Sequence, residues 1–580
     1  MIPRPLVVRL LPPGGPYYLL VLTAFVAVFA LIPLTLFMHS GEDWAFQPAL
    51  MLRLAGLGLA LGLAVAVVVR LVAVVRAGAA RWLACAIFCL GLFLLAAHVY
   101  APLPIGPLDG SEIESPEPWS HTAIEVLILA LLLPVLALLG RGRGLPAAAS
   151  LSALLLAVTI GYFTAAAMVT TSAEAERPVG QPSGATVTAG NVYHIVLDRM
   201  QTDAFLRALR KADLKTAFPG FHLFKNNVAN YISTISSSAS YMTGTLYKDG
   251  SYQDWTNRWH DEGLFALLSS RGYETWMFAP FGSWQGNHID HFYYNVNIYE
   301  AETGLSNAGL YDFIHVWLAT LAPTPLTNEA LPLADRARGP LFRLLTGNLE
   351  PLSIEEGVDP YSGMLMLRKL RSEEERRPPR GQYIYAHAAL PHTPFVIDRN
   401  CNYVGRQEEP KQAYLEQAQC AVRLVANFLA ELKRLGRYDS ATIIVHADTG
   451  HGIGGITGET RPGHTRTLGV TDVGLVYTLN ALLMVKRPGD NGPLQTLETP
   501  TQLVDLFPTI LDMLALQPPH EVDGKSVYAI GEDEDREARF GFDPDNWFDG
   551  PNIVEVRIEN PRDPLHSDLN VLGPVNGNQR

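Results

Sequence analysis

Five apolar runs crowd the first 170 residues, near 17–38, 54–75, 82–99, 122–140 and 146–170. Each is close to the about 20 residues that a helix needs to cross a bilayer. Charged side chains are rare in them, and Arg70 and Glu125 lie near run ends. A buried helix of a water-soluble protein seldom stays apolar for so long, and five in succession predict a five-helix transmembrane domain over 1–170. The connections set its orientation. Arg4 and Arg9 precede the first run, Arg70, Arg76 and Arg81 surround the second connection, and Arg141 and Arg143 fill the fourth. The other two connections carry Glu42 and Asp43, then Asp109, Glu112, Glu114 and Glu117. Basic residues mark the cytoplasmic side, so the amino terminus is expected there. Five crossings then place everything beyond residue 170 outside. The first run lacks a clear small-residue cleavage site and is followed by more runs, so it reads as a retained helix and not a signal peptide.

A chain of 580 residues is too long for one typical domain. Its net charge of −13, with no basic block, points to no nucleic-acid partner. Residues 171–190 are polar, small and rich in Pro and Gly, which reads as a linker. An α/β domain is expected over 191–531, followed by a C-terminal extension over 532–580. The acidic stretch Glu532–Glu537 and the Asn/Pro/Asp-rich tail read as surface structure or partial disorder.

Two strands stand out in the α/β part. Asn191–Asp198 (NVYHIVLD) is a continuous apolar run ending on a carboxylate, and Thr442–Asp448 (TIIVHAD) is a second of the same kind. Such runs fit strands buried on both faces of a parallel sheet. A carboxylate at the strand's end stands where open α/β sheets bind ligands; it is also where an ordinary turn-forming Asp would stand. Further strands are expected at Tyr273–Phe278, Gln382–Ala389 and Asn480–Val485. Helices are expected from Asp203, over Leu264–Leu268, over Tyr414–Leu435, and over Thr501–Leu514 with Pro508 at a break or in the first turn. Helical patches near 308–321 and 361–377 are visible, the second ending in a charged EEERR face that reads as solvated surface; 283–300 reads as an aromatic loop. His387 and His446 lie within strands and read as buried, hydrogen-bonded core residues. Cys85 and Cys89 read as packing residues. Cys401 and Cys420 would form a disulfide in an oxidising compartment or remain two buried thiols.

The order of motifs resembles the sulfatase-like branch of the alkaline phosphatase superfamily. It runs from the strand ending at Asp198 to TISSSASYMTG at 234–244, PHTPF at 391–395, the strand ending at Asp448, VDLFPTILDML at 504–514 and DGKS at 523–526. With five spans ahead of an exported domain, the chain looks like lipoteichoic acid synthases and lipid A phosphoethanolamine transferases. The resemblance implies a multi-span α-helical membrane domain plus an exported α/β domain with a mainly parallel central sheet. In that family the nucleophilic hydroxyl stands nine residues ahead of the Thr of a Thr-Gly pair. Here the pair is Thr243-Gly244 and the position is Thr234. A helix N-cap, with Ser237 three residues on, is the plain structural reading of the same residue. The implied metal ligands are Asp198, Thr234, Asp448 and His451, holding a divalent cation such as Zn, Mn, Mg or Ca. Family members carry a His directly after the second Asp, where this chain has Thr449; His451 or His464 would have to reach the metal instead. His392 resembles the family's histidine for the substrate or leaving group, and Ser237 and His464 are further substrate-binding candidates.

Arg199 replaces the second acid that sulfatases carry after the first. Arg cannot bind a metal. It would either contact the anionic group of the substrate bidentately or pair with Asp448 in place of a metal. The implied function is a metal-dependent transferase. It would move a phosphoglycerol- or phosphoethanolamine-type group from a membrane lipid to an envelope glycan or lipid by way of Thr234. The enzyme would sit in a bacterial inner membrane with its C-terminal domain in the periplasm or outside the cell. The alternatives are a sulfatase- or phosphodiesterase-type hydrolase and a catalytically degenerate scaffold in envelope polysaccharide assembly.

Overall fold

The computed structural model describes residues 15–39, 49–101, 119–173, 190–305, 307–353, 356–408, 410–452, 466–467, 470–543 and 550–575. The chain divides into two units: 1–106, 112–178 and 305–353 form the first, and 107–111, 179–304 and 354–580 the second.

The first unit is helical. Gly15–Val26 passes through a π-helical turn, Ala27–Leu31, into Ile32–His39; Ala49–Val75, Ala77–Tyr100, Trp119–Gly140 and Leu145–Ala173 follow. Among the described residues four stretches are long and apolar enough to cross a membrane: Pro16–Phe37, Leu50–Val75, Ala77–Tyr100 and Trp119–Gly140. The fifth run falls in the helix Leu145–Ala173 and counts, over Leu145–Thr159, as a shorter apolar helix. Most of the linker lies outside the described residues, and its first three residues end that helix.

Residues 305–353 depart from expectation. The α/β domain was expected unbroken from 191 to 531, yet this segment belongs to the first unit. It folds as a helical hairpin, Ala308–Ala319, a 3₁₀ turn at Thr324–Leu326, and Thr327–Thr346. The physical reason lies in its first helix, where Leu310, Phe313, Ile314, Val316 and Trp317 are all buried. Asp312 and His315 on its remaining side are buried too, and a helix buried all round needs partners on every side. The Phe313 ring meets Phe37 and the Trp317 ring meets Phe29, at centroid separations of 6.5 and 5.2 Å.

The second unit is built on an eight-stranded sheet. Its strands are β1 (Val192–Leu197), β2 (Phe221–Phe224), β3 (Glu274–Ala279), β4 (His291–Tyr294), β5 (Gln382–Ala388), β6 (Thr442–His446), β9 (Leu483–Lys486) and β10 (Gln495–Leu497). β7 (Arg466–Thr467) and β8 (Val470–Thr471) pair only with each other. The order across the sheet is β10-β2-β9-β6-β1-β5-β3-β4, and only β9 runs antiparallel to its neighbours. The sheet is therefore mainly parallel, and β1 lies at its centre between β5 and β6. Residues 283–300 are not a loop: they hold β4 and the helix Asn295–Thr303. The tail is ordered structure over 538–543 and 550–575. There β11 (Ala538–Phe542), β12 (Val554–Ile558) and β13 (Leu569–Pro574) form an antiparallel sheet. Phe540, Phe542, Val556 and Ile558 close a core with Val228 and Leu479. Cys401 and Cys420 form a disulfide with Cα atoms 5.1 Å apart.

Register decides which residues share a face, because successive side chains of a strand point to opposite sides. His194 pairs with Tyr385 and Ile444, and Val196 pairs with His387 and His446. One face of the central strands thus carries His194, Tyr383, Tyr385, His387 and His446, and continues to Asp198 and Asp448 just past the strand ends. The helix Thr234–Thr243 covers this face, with Tyr241 against His194 and His446. On the other face Tyr193 meets Phe428 of the helix Pro410–Arg434.

The EEERR segment is only partly surface. Glu374 and Arg377 are buried. The Glu374 carboxylate takes hydrogen bonds from Arg377 (2.9 Å), Arg437 (2.7 Å) and the Tyr193 hydroxyl (2.5 Å).

Candidate active site

The helix Thr234–Thr243 is capped by Ser233, whose hydroxyl accepts the Ser236 amide at 3.3 Å. Thr234 is thus the first helical residue and not the cap. Its hydroxyl donates instead to Asp448 Oδ2 at 2.7 Å. The other oxygen of Asp448 accepts the amides of Thr449 (2.7 Å) and Arg199 (3.1 Å). Ser237 Oγ donates to the Asp448 carbonyl at 2.7 Å and is buried. This corrects its expected role in binding substrate: Ser237 fixes the strand end to the helix.

Asp198, His387 and Asp448 form a buried cluster whose nearest ligand atoms all lie within 4.8 Å of one another. His387 Nε2 is 3.4 Å from Asp198 Oδ2 and 3.9 Å from Asp448 Oδ2. Its other nitrogen, Nδ1, bonds the Tyr385 hydroxyl at 3.1 Å, which directs Nε2 at the two acids. Tyr385 continues to Tyr241 (2.7 Å) and Ser238 (2.8 Å). Behind them His194 bonds Tyr383 and His446, and His446 Nδ1 donates to the Ala447 carbonyl at 2.8 Å. Burial, above all, pushes His194 well below its usual pKa and His446 down to about 3, so this rear pair is neutral. Both His446 and His387 are buried and hydrogen-bonded as the sequence led us to expect, but His387 also turns its Nε2 to the two acids. Sequence reasoning missed it because a mid-strand His looks the same in either role, and only the register with Val196 brings it level with the acids.

Burial would raise the pKa of Asp198. His392 above all, then His387 and Arg199, more than offset burial and hold it well below the usual carboxylate range. Asp448 is pushed up, by burial first and then by Asp198. Two buried acids facing one space are costly unless a positive charge joins them. Asp198 Oδ1 is buried with no hydrogen-bond partner, and His387 Nε2 likewise. Two carboxylates, an imidazole and a hydroxyl form a donor set that suits a divalent cation, so these residues fit the metal that the family resemblance implies.

His451 does not join the cluster. Its ring packs against Phe395 and Tyr414, with both centroid separations 5.2 Å, and neither ring nitrogen has a hydrogen-bond partner. The cause is the turn before it. The Gly450 amide bonds the Thr478 carbonyl at 2.6 Å, and the Tyr477 carbonyl leaves no room for a side chain at Gly450. The chain turns at that segment and the His451 ring lodges against Phe395 and Tyr414, outside the group of ligand atoms that lie within 4.8 Å of one another. His464 lies outside the described residues.

His392 is held by its own backbone. Gln417 Nε2 donates to the His392 carbonyl at 2.5 Å, while Gln417 Oε1 accepts the amides of Val396 and Ile397, both at 3.0 Å. Gln417 is a positioning residue that sequence reasoning missed. Its signal was a polar residue on the helical stripe of Ala421, Val425 and Phe428. Arg199 has a left-handed backbone, φ 60°, rare for a residue with a side chain. That conformation turns its amide onto Asp448, and its carbonyl accepts the Tyr414 hydroxyl at 2.8 Å.

A family model described as Sulfatase matches residues 200–516. No curated protein matches the chain. Among solved structures, the chain is similar to a protein of the alkaline phosphatase superfamily from Vibrio parahaemolyticus, at 12% identity and TM-score 0.42, covering 68% of this chain and 79% of that one. It is similar to the phosphonate monoester hydrolase of Agrobacterium radiobacter at 14% identity and TM-score 0.37, covering 66% and 88%. It is also similar to the C-terminal periplasmic domain of EcEptC from Escherichia coli at 14% identity and TM-score 0.36, covering 65% and 94%.

Proposed function

Starting from the sulfatase family, to which this chain belongs, we propose a membrane-anchored transferase that moves a phosphoglycerol- or phosphoethanolamine-type group from a phospholipid to an envelope glycan or lipid. The observation that supports it most directly is the partly buried Thr234, whose hydroxyl donates at 2.7 Å to an acid of the buried Asp198, His387 and Asp448 cluster. A hydroxyl is a poor nucleophile at its free pKa and needs an activating partner. Asp198, His387 and Asp448 would hold a divalent cation, with Thr234 beside it. Such an ion, when bound, supplies positive charge that favours the alkoxide and offsets charge developing on phosphorus oxygens. The Thr234 proton faces Asp448 Oδ2. Thr234 oxygen attacks the donor phosphorus and the bond to the diacylglycerol oxygen breaks, that oxygen taking a proton from His392. In the second half the acceptor hydroxyl attacks the same phosphorus and yields its proton to His392. Thr234 leaves and recovers its own.

Arg199 is placed in this reading beside the anionic headgroup, as a fixed positive charge. The amino terminus is cytoplasmic and the α/β unit lies beyond the inner membrane of a bacterium, where donor headgroups and envelope acceptors are found. The displaced histidine, which favoured a binding-only member of the family, has a counterpart in His387.

The test uses the full chain in lipid nanodiscs with phosphatidylglycerol or phosphatidylethanolamine carrying a radiolabelled headgroup phosphate. Expected are release of diacylglycerol and label on the peptide that contains Thr234. Hydrolysis of a sulfate ester, with neither diacylglycerol nor labelled peptide, would replace this reading with a sulfatase.

A further inference from the structure

The helix Thr327–Thr346 is held at both ends by charged side chains of two different spans. At its start, Glu125 accepts the Thr324 amide on both carboxylate oxygens, at 2.9 and 3.1 Å, and the Thr324 hydroxyl at 2.8 Å. At its end, Arg53 Nη1 donates to the Leu345 carbonyl at 2.7 Å. A helix leaves unsatisfied N–H groups at its start and carbonyls at its end, with a dipole positive to negative along the same direction. A carboxylate at the first and a guanidinium at the second satisfy both.

These two anchors fix the helix in depth. Successive spans run in opposite directions, so Phe37, Leu50, Tyr100 and Trp119 all mark one membrane surface. Arg53 is three residues into its span and Glu125 six into its own, about 5 and 9 Å below that surface at 1.5 Å per residue. The helix between them has 20 residues, about 30 Å of length. A rod of that length whose ends differ in depth by about 4 Å lies nearly in the membrane plane. The hairpin's first helix reaches deeper: Trp317 Nε1 donates at 3.0 Å to the carbonyl of Val28, within the π-helical turn. Val28 lies nine residues before Phe37, about 14 Å below the same surface.

The face turned away from the spans is apolar along one line. Leu333 and Leu344 are 64% and 67% exposed, and Ala337 and Pro340 lie between them on the same side. Exposed Arg336 and Arg343 lie along one side of that line, Arg343 Nη1 3.2 Å from Glu350 Oε1, where long cationic side chains meet lipid phosphates. The two anchoring spans expose leucines as well, Leu52 and Leu59 on one and Leu127 and Leu131 on the other. We propose that Thr327–Thr346 is an interfacial helix, lying in the bilayer plane at the depth of the first acyl carbons with Leu333 and Leu344 against lipid. Its occupant is the bilayer itself, because the depth of the anchors is the depth at which amphipathic helices bury their apolar face. The proposal holds whatever reaction the α/β unit performs.

The test uses the full chain with Cys85 and Cys89 replaced by Ala, and one new cysteine introduced as Leu333→Cys, Leu344→Cys or, as control on the α/β unit, Lys225→Cys. Each is labelled with an environment-sensitive fluorophore and reconstituted in vesicles of phosphatidylcholine and phosphatidylglycerol. Some vesicles carry lipids spin-labelled near the carboxyl end of the acyl chain, others near its methyl end. Expected is loss of half or more of the fluorescence at both leucine positions with the shallow label, a smaller loss with the deep one, and no loss at the control. Leucine positions that behave as the control overturn the proposal. So does absence of quenching together with disulfide-linked dimers of the unlabelled cysteine variants, which would make the stripe a contact between copies.

Discussion

Thr234 and Asp448 are 214 residues apart in the chain, and their side-chain oxygens are 2.7 Å apart in the fold. A helix start and a strand end meet there, and the amides of Arg199 and Thr449 leave the carboxylate no freedom to turn away. A hydroxyl so held is oriented before any substrate arrives.

Thr234→Ala is therefore expected to lower transfer by about 10³-fold or more, and Thr234→Ser to stay within about 10-fold of the native chain because it keeps the hydroxyl. Both variants keep Asp198, His387 and Asp448, so both should still bind a divalent cation. Headgroup release and elemental analysis on the same samples check this, and an active alanine variant would remove Thr234 from the chemistry.

The two histidines part company under mutation. His387→Ala removes the nitrogen of the cluster and should weaken cation affinity by more than the roughly 10–100-fold typical of losing an outer partner of a metal ligand. His451→Ala should leave affinity unchanged and cost about 1–3 kcal/mol of stability from the space left between Phe395 and Tyr414. Titration with Zn, Mn, Mg and Ca separates them; the opposite ranking would return the ligand role to His451.

Asp203 gives a pH signature away from the site. It lies in the first turn of the helix Thr202–Lys211, with Oδ1 on the Ala204 amide and Oδ2 buried without a partner. Burial outweighs the hydrogen bonds and pushes its carboxyl up to about 6. The folded chain then binds this proton more tightly than the unfolded chain, whose Asp titrates near 3.9. The stabilisation is complete below about pH 4 and is lost as pH rises to and through about 6. Asp203→Asn lacks that loss. Its thermal midpoint should exceed that of the native chain at pH 8, by the equivalent of about 1–3 kcal/mol, and the gap should narrow at pH 5. Equal gaps at the two pH values would disprove the assignment.

Glu374 tests the opposite end of β1. Its carboxylate balances Arg377 and Arg437 in a buried setting. Glu374→Gln leaves buried Arg437 without its carboxylate and Arg377 with only Glu373, at 3.8 Å, a change that costs roughly 3–5 kcal/mol. A marked fall in thermal midpoint is expected, and a native-like midpoint would mean that water reaches these arginines.

What was legible in the sequence follows what each signal depends on. The strands ending at Asp198 and Asp448 were readable because a buried parallel strand is an unbroken apolar run. β2 and β10, of four and three residues, are too short for any period to emerge. The helix Ala308–Ala319 was visible, but periodicity shows that a face is apolar and not what it packs against. Glu374 looked like its charged neighbours because burial of one residue within a polar run leaves no trace in composition. His451 was misplaced because spacing measures distance along the chain, whereas the turn at Gly450 sets direction.

The central position of β1 has a consequence for biogenesis. This strand leaves the ribosome first among the thirteen, yet its neighbours are Tyr383 of β5 and Thr442 of β6, opposite Val192. Pairings so remote in the chain are slow, since closure entropy is lost before any contact forms. A nascent polypeptide interrupted before residue 442 holds its oldest strand with one flank open, and Asp198 with no opposing acid. The central sheet thus cannot close around β1 until β6 has been made, and until then the waiting strand is the part of the chain most open to misassembly.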